Sequence, residues 1–139
     1  MGGYGALRLG AKYAKQVAGI SAHSSIITLP DFDLFVDIQN QAALSANLDQ
    51  YHGEILPWLN ENQGFLPPLR FDCGTDDSLY ASNVAFANDL TTRGIEHQFE
   101  ALTGAHSWDY WHNNVERSLR FFHQLHYANK PLVEPNFPV

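Results

Sequence analysis

Cysteine is almost missing from this chain of 139 residues: Cys73 stands alone. One thiol closes no internal disulfide, so the fold must hold by burial and hydrogen bonding, and a reducing compartment is compatible with it. Long apolar runs are also missing. No stretch approaches the roughly 18 apolar residues of a membrane-spanning helix. The start lacks the basic, apolar, small-residue order of a secretion signal. A cytoplasmic location is the expectation, and it carries weight only if residue 1 is the true start. Basic residues are few: Lys and Arg number 8 against 15 Asp and Glu, a formal charge of −7. That balance works against nucleic acid, whose phosphates call for basic patches, and against an anionic membrane surface.

What is there is globular. Apolar residues make up 45% and charged residues 17% of the chain, the composition of a folded domain without repeats or low-complexity tracts. The length fits a single domain, 1–139. The opening Gly2-Gly3-Tyr4-Gly5-Ala6 runs into Leu7 and Leu9 and reads as a short helix packed closely on a sheet. The segment 16–22 (QVAGISA) reads as a buried strand. Residues 30–68 change character, with Asp31, Asp33 and Asp37 among aromatics, a weakly helical stretch from Asn40 to Tyr51, then Pro57, Pro67 and Pro68. This segment is too long for a plain connection and reads as a lid or insertion whose acids face solvent.

Leu69 to Cys73 forms the next strand, ended by Gly74. Leu79 to Arg93 forms a helix that Gly94 caps. His97 to Leu102 forms a third strand. Ser107 caps a last helix in which Trp108, Trp111, Val115, Leu119, Phe122 and Leu125 recur at helical spacing and read as core. The tail from Pro131 to Val139 reads as extended. Strands alternating with helices indicate an α/β fold with a three-stranded, mostly parallel sheet between helices.

Two loops lie just after strand ends, where open α/β sheets place their sites. Gly74-Thr75-Asp76-Asp77-Ser78 offers an acid, and Thr103-Gly104-Ala105-His106-Ser107-Trp108 a histidine. An acid followed later by a histidine is the chain order of the Ser-Asp-His relay. The imidazole takes a proton from an attacking hydroxyl and returns it to the leaving group, while the carboxylate holds the tautomer. Trp108 and Trp111 are candidate walls that keep water out.

Three segments together resemble the esterase D and S-formylglutathione hydrolase group of esterases. That family's elbow reads G-x-S-M-G-G, and this chain opens Met1-Gly2-Gly3-Tyr4-Gly5-Ala6-Leu7. Phe71-Asp72-Cys73-Gly74-Thr75-Asp76-Asp77 matches the acid loop, and Gly104-Ala105-His106-Ser107-Trp108 the histidine loop. The resemblance implies the C-terminal part of an α/β-hydrolase fold acting on small acyl esters or thioesters without a cofactor. It implies Asp77 as the acid, with Asp76 the runner-up, His106 as the base, and the backbone at Met1 as an oxyanion-hole position. The serine and the strand before it would lie ahead of residue 1, through an internal start or a truncated gene, so the chain alone is expected to be inactive. An enzyme of this type runs to roughly 250 residues or more.

Other readings stand beside this one. Asp77 can be a turn acid and His106 an ordinary loop histidine. The whole can be a non-catalytic, degenerate hydrolase fold that binds or assembles. Ser21, Ser24 and Ser25 lack the glycines of an elbow, and Cys73 within a strand reads as inert packing. His112, His123 and His126 on the last helix read as surface histidines rather than a metal site. A strand at 16–22 without its neighbour would present a bare apolar edge, inviting a homo-oligomer.

Overall fold

The computed structural model describes residues 1–35, 37, 40 and 54–128. The element order is α1 (Gly2–Lys12), a 3-10 turn Ala14–Gln16, β1 (Ile20–His23), and a 3-10 turn Leu29–Leu34. After these come α2 (Leu56–Glu61), a 3-10 turn Gln63–Phe65, β2 (Leu69–Gly74), α3 (Tyr80–Thr92), β3 (Gln98–Leu102) and α4 (Trp108–Ala128). The three strands form one sheet in the order β1-β2-β3, and both pairings are parallel. The helix expected from Asn40 to Tyr51 and the tail from Pro131 lie outside the described residues, apart from Asn40 itself.

Alternation along the strands gives the sheet two unlike faces. Ile20, Ala22, Leu69 and Phe71 join Leu7 and Ala11 of α1, Leu59 of α2, and Phe86 and Leu90 of α3 in one buried core. The intervening residues, Ser21, His23, Arg70, Asp72 and Glu100, lie on the other face, in register as Ser21–Arg70 and His23–Asp72–Glu100. Among the described residues, α4 covers that face.

Glycine is required where elements touch. A Cβ on Gly10 would stand 2.6 Å from the Ile20 side chain, so α1 lies directly on β1. Gly94 adopts φ +67° just past α3. Its N–H donates to Thr91 O, and the Ile95 N–H donates to Leu90 O. This is a Schellman end, closed by the buried pair Ile95 and Leu90.

Three sequence expectations need correction. The first strand spans Ile20–His23, not 16–22. Gln16 closes a 3-10 turn, and the chain from Val17 to Gly19 is the return from α1 to the sheet, with a Cβ on Gly19 only 2.5 Å from Leu125. The stripe on the last helix is not core: Trp108 is 82% exposed, Leu119 64% and Val115 46%. The helix instead buries Tyr110 and Phe121, with Asn114 and Ser118 half-buried between them. That face is one residue removed from the expected one, about 100° around the axis, because the sheet surface beneath it is polar. Asp31 is also not solvated. It is buried and accepts from the N–H groups of Ile27 and Thr28 and from Ser82 Oγ, capping the turn that begins at Leu29.

Candidate active site

β2 and β3 are neighbours and end together, which brings the loops after them into contact. The Thr75 N–H donates to Leu102 O (2.8 Å) and the Asp76 N–H to Gly104 O (2.9 Å). A Cβ on Gly74 would sit 2.2 Å from Gly104 O, so the acid loop fits against the histidine loop only with glycine there. Gly104 itself takes φ +137°, with a hypothetical Cβ 2.8 Å from the Tyr110 ring.

Across this contact His106 Nδ1 and Asp77 Oδ2 are 2.9 Å apart. A carboxylate accepts, so Nδ1 carries the proton and Nε2 keeps its lone pair. The Asp77 side chain is fully buried, whereas that of His106 is 27% exposed. The other carboxylate oxygen accepts from the Leu79 N–H at 2.9 Å. Asp77 therefore braces the turn ahead of the next helix and holds the imidazole with the same carboxylate. Asp76 is exposed, and its backbone rather than its side chain joins the loops.

The imidazole opens on a cavity of about 420 Å³ lined by Met1, Gly2, Gly3, Ser21, Ala22, His23, Ser24, His106, Trp108 and Trp111. The Trp111 ring meets His106 edge-on at 4.9 Å, and Phe35 lies 4.9 Å from it on another side. Trp108 stands against Trp111 but is largely in water, so it borders the cavity without sealing it. Met1 and the glycines after it reach the cavity from the first turn of α1.

Cys73 is buried, and burial first, then the Asp77 and Asp72 carboxylates, push its thiol up to about 12 from 9.0. A thiol so disfavoured as thiolate is no nucleophile near neutrality. A proton held more tightly in the fold than in the open chain stabilises below the unfolded value and is lost as pH rises through the folded one. Stability should therefore fall between about pH 9 and 12. Tyr110, also raised by burial and by its bond to Asp72, adds to the same limb. Denaturant unfolding across that range checks this, with Cys73→Ala expected to flatten the fall. A wild-type midpoint that does not move would contradict it.

A second histidine near the cavity escaped the sequence reading. His23 Nδ1 donates to Asp72 (2.9 Å) and its Nε2 accepts from Ser118 Oγ at 2.7 Å. Asp72 also takes Arg70 Nη2 and, at 2.7 Å, the Tyr110 hydroxyl. Arg70 reaches Glu100 as well, and Glu100 pairs with Arg117. The available signal was the strict alternation in Leu69-Arg70-Phe71-Asp72-Cys73, which puts a charged pair on one side of the strand. Neither Ser24, despite φ +46°, nor Ser25 bonds to either imidazole. His112, His123 and His126 are exposed. Among the described residues no group of three His, Cys, Asp or Glu side chains could hold a metal, and no helix is long and apolar enough to cross a membrane.

No family model matches the chain. It is 29% identical to an acetyl esterase of Caldicellulosiruptor saccharolyticus, over 90% of this chain and 52% of that protein. Among solved structures it is similar to an S-formylglutathione hydrolase of Staphylococcus aureus, with a TM-score of 0.78 and 24% identity, over 87% of this chain and 50% of that one. It is also similar to a ferulic acid esterase, with a TM-score of 0.73 and 23% identity, over 90% of this chain and 48% of that one. The three parallel strands and flanking helices thus have the fold of these hydrolases, while the chain spans about half the length of the relatives it matches. The chain has a partial α/β-hydrolase fold, similar to that of these esterases.

Proposed function

We propose that this chain contributes the acid and the base of a serine-esterase relay acting on small acyl esters or thioesters, with Asp77 orienting His106. The attacking hydroxyl comes from a segment beyond these 139 residues. The observation that carries the reading is the 2.9 Å bond between a buried carboxylate and a partly exposed imidazole at adjoining strand ends, beside an open cavity. In the relay, His106 Nε2 takes the serine proton as the hydroxyl attacks the acyl carbon, then returns it to the departing alkoxide or thiolate. Water repeats the sequence to release the acid. The N–H groups at the first turn of α1, including that of Met1 when it is in peptide linkage, face the developing oxyanion. Trp108 and Trp111 border the acyl or alcohol side, and the segment 30–68 serves as a lid within a single domain. No cofactor enters this chemistry.

The reading is tested by hydrolysis of a short-chain aryl ester. The chain alone is expected to be no faster than its His106→Ala variant. Paired with the part of the acetyl esterase relative that this chain does not cover, it should gain hydrolysis that His106→Ala abolishes. Turnover by a folded pair that is indifferent to His106→Ala would overturn the assignment.

The same reading has a consequence for association. Among the described residues β1 pairs with β2 on one side only, and a groove beside its other edge is lined by Leu9, Tyr13, Val17, Ile20 and Phe122. Four of these five are exposed apolar side chains. An unpaired apolar edge recruits another strand. The chain by itself should therefore self-associate through this edge, and Val17→Lys should weaken the association. Sedimentation as a clean monomer would contradict the prediction.

A further inference from the structure

The polar network on the α4 face of the sheet contains a serine, a histidine and an aspartate bonded in relay order, Ser118–His23–Asp72. It is not built to attack. The Ser118 hydroxyl donates to His23 and lies within bonding distance of Ser21 Oγ (2.6 Å) and Arg70 Nη1 (3.2 Å). With its proton and both acceptor sites engaged, the oxygen has no free lone pair to offer. What the network does reach is the loop that carries His106.

Tyr110 is the link. Its ring is buried directly under Gly104, two residues before His106, close enough that no side chain fits between them. Its hydroxyl donates to Asp72 Oδ1 at 2.7 Å. Asp72 is fixed from two further directions, by His23 on β1 and by Arg70 on its own strand, and all of these groups are buried or nearly so. The floor of the histidine loop is thereby tied to the middle of the sheet rather than to the acid loop alone. We infer that Tyr110, anchored by Asp72, is a positioning residue that holds the Gly104–His106 loop where the imidazole meets Asp77. This inference rests on the reading of His106 as the relay base. A site built 1 Å too loosely loses much of its activity, and supporting bonds of this kind supply the missing constraint.

The test is amide exchange and the His106 imidazole spectrum in the Tyr110→Phe variant, which keeps the ring and removes only the hydroxyl. The Asp76 N–H, bonded to Gly104 O, reports the contact between the two loops. Tyr110→Phe should speed its exchange at least tenfold and weaken the His106 Nδ1–H signal. The Ile95 N–H, at the far end of α3, should keep its wild-type rate. Ser118→Ala, which cuts the network on the side away from Tyr110, should leave the Asp76 amide unchanged. Unchanged exchange at Asp76 in Tyr110→Phe would overturn the inference. So would equal loss of protection at Asp76 and Ile95, because Tyr110 would then serve the fold as a whole. A wild-type protein without the His106 Nδ1–H signal would instead sink the relay assignment, so the two failures are distinguishable.

Discussion

In an esterase assembled from this chain and a serine-bearing complement, His106→Ala should lower kcat on the order of a millionfold, and Asp77→Asn on the order of ten-thousandfold. The difference follows from the separate tasks of the two groups. Without the imidazole nothing accepts the serine proton as the new bond forms, and nothing protonates the leaving group. With Asn at 77 the imidazole remains, but an amide NH₂ can face Nδ1 and leave the ring proton on Nε2, the nitrogen that has to be bare. Asp77 also accepts the Leu79 N–H through its other oxygen, and Asn can keep that bond. The Asn variant should therefore fold normally, which separates the catalytic loss from a structural one. The assay is kcat for a short-chain aryl ester with far-UV circular dichroism as the control. A loss below tenfold for His106→Ala in an active, folded assembly would contradict the account.

The largest expected effect on stability lies at Arg70. Its guanidinium is 2% exposed and sits between the Asp72 and Glu100 carboxylates, and Asp72 is wholly buried. Removing one partner of a buried pair leaves a charge with neither water nor counter-ion, a loss of about 3–5 kcal/mol. Arg70→Met keeps much of the volume and should show this loss in denaturant unfolding. Adding Asp72→Ala should cost less than the sum of the single changes, because the stranded carboxylate is gone. Burial works against the Asp72 charge, yet hydrogen bonds from His23, Tyr110 and Arg70 outweigh it and hold the carboxyl below its usual 3.8. A depressed folded value stabilises above the unfolded one and is lost as pH falls through the folded one. The network therefore supports the fold above about pH 3.8 and fails at lower pH. An Arg70→Met midpoint matching that of wild type would show that the network adds nothing measurable.

Much of the architecture was legible in sequence because local chemistry and global fold agree. Gly94 after the Tyr80–Thr92 periodicity marks a helix end that the structure closes in the expected way, and Ser107 caps the last helix through the Tyr110 N–H. The two chemical loops were readable because each follows a strand and holds a titratable residue beside glycines. The misreading of the last helix has one cause: the sheet has a polar face. An exposed stripe of Trp108, Val115 and Leu119 has the periodicity of a core, and only the partner surface decides which side of a helix is buried. Arg70 and Asp72 pointed to that surface, but their burial depends on His23, Tyr110 and Ser118, which lie far away in sequence. The first strand was begun early because apolar content does not mark where a chain joins a sheet; pairing does, and it starts at Ile20.

The most direct test of the central claim is the long-range proton–nitrogen spectrum of the His106 side chain near neutral pH. The account predicts a protonated Nδ1, shielded from exchange by its bond to Asp77, and a bare Nε2, with the shielding lost in Asp77→Asn. An imidazole with its proton on Nε2, or one whose spectrum ignores the Asp77→Asn change, would contradict it.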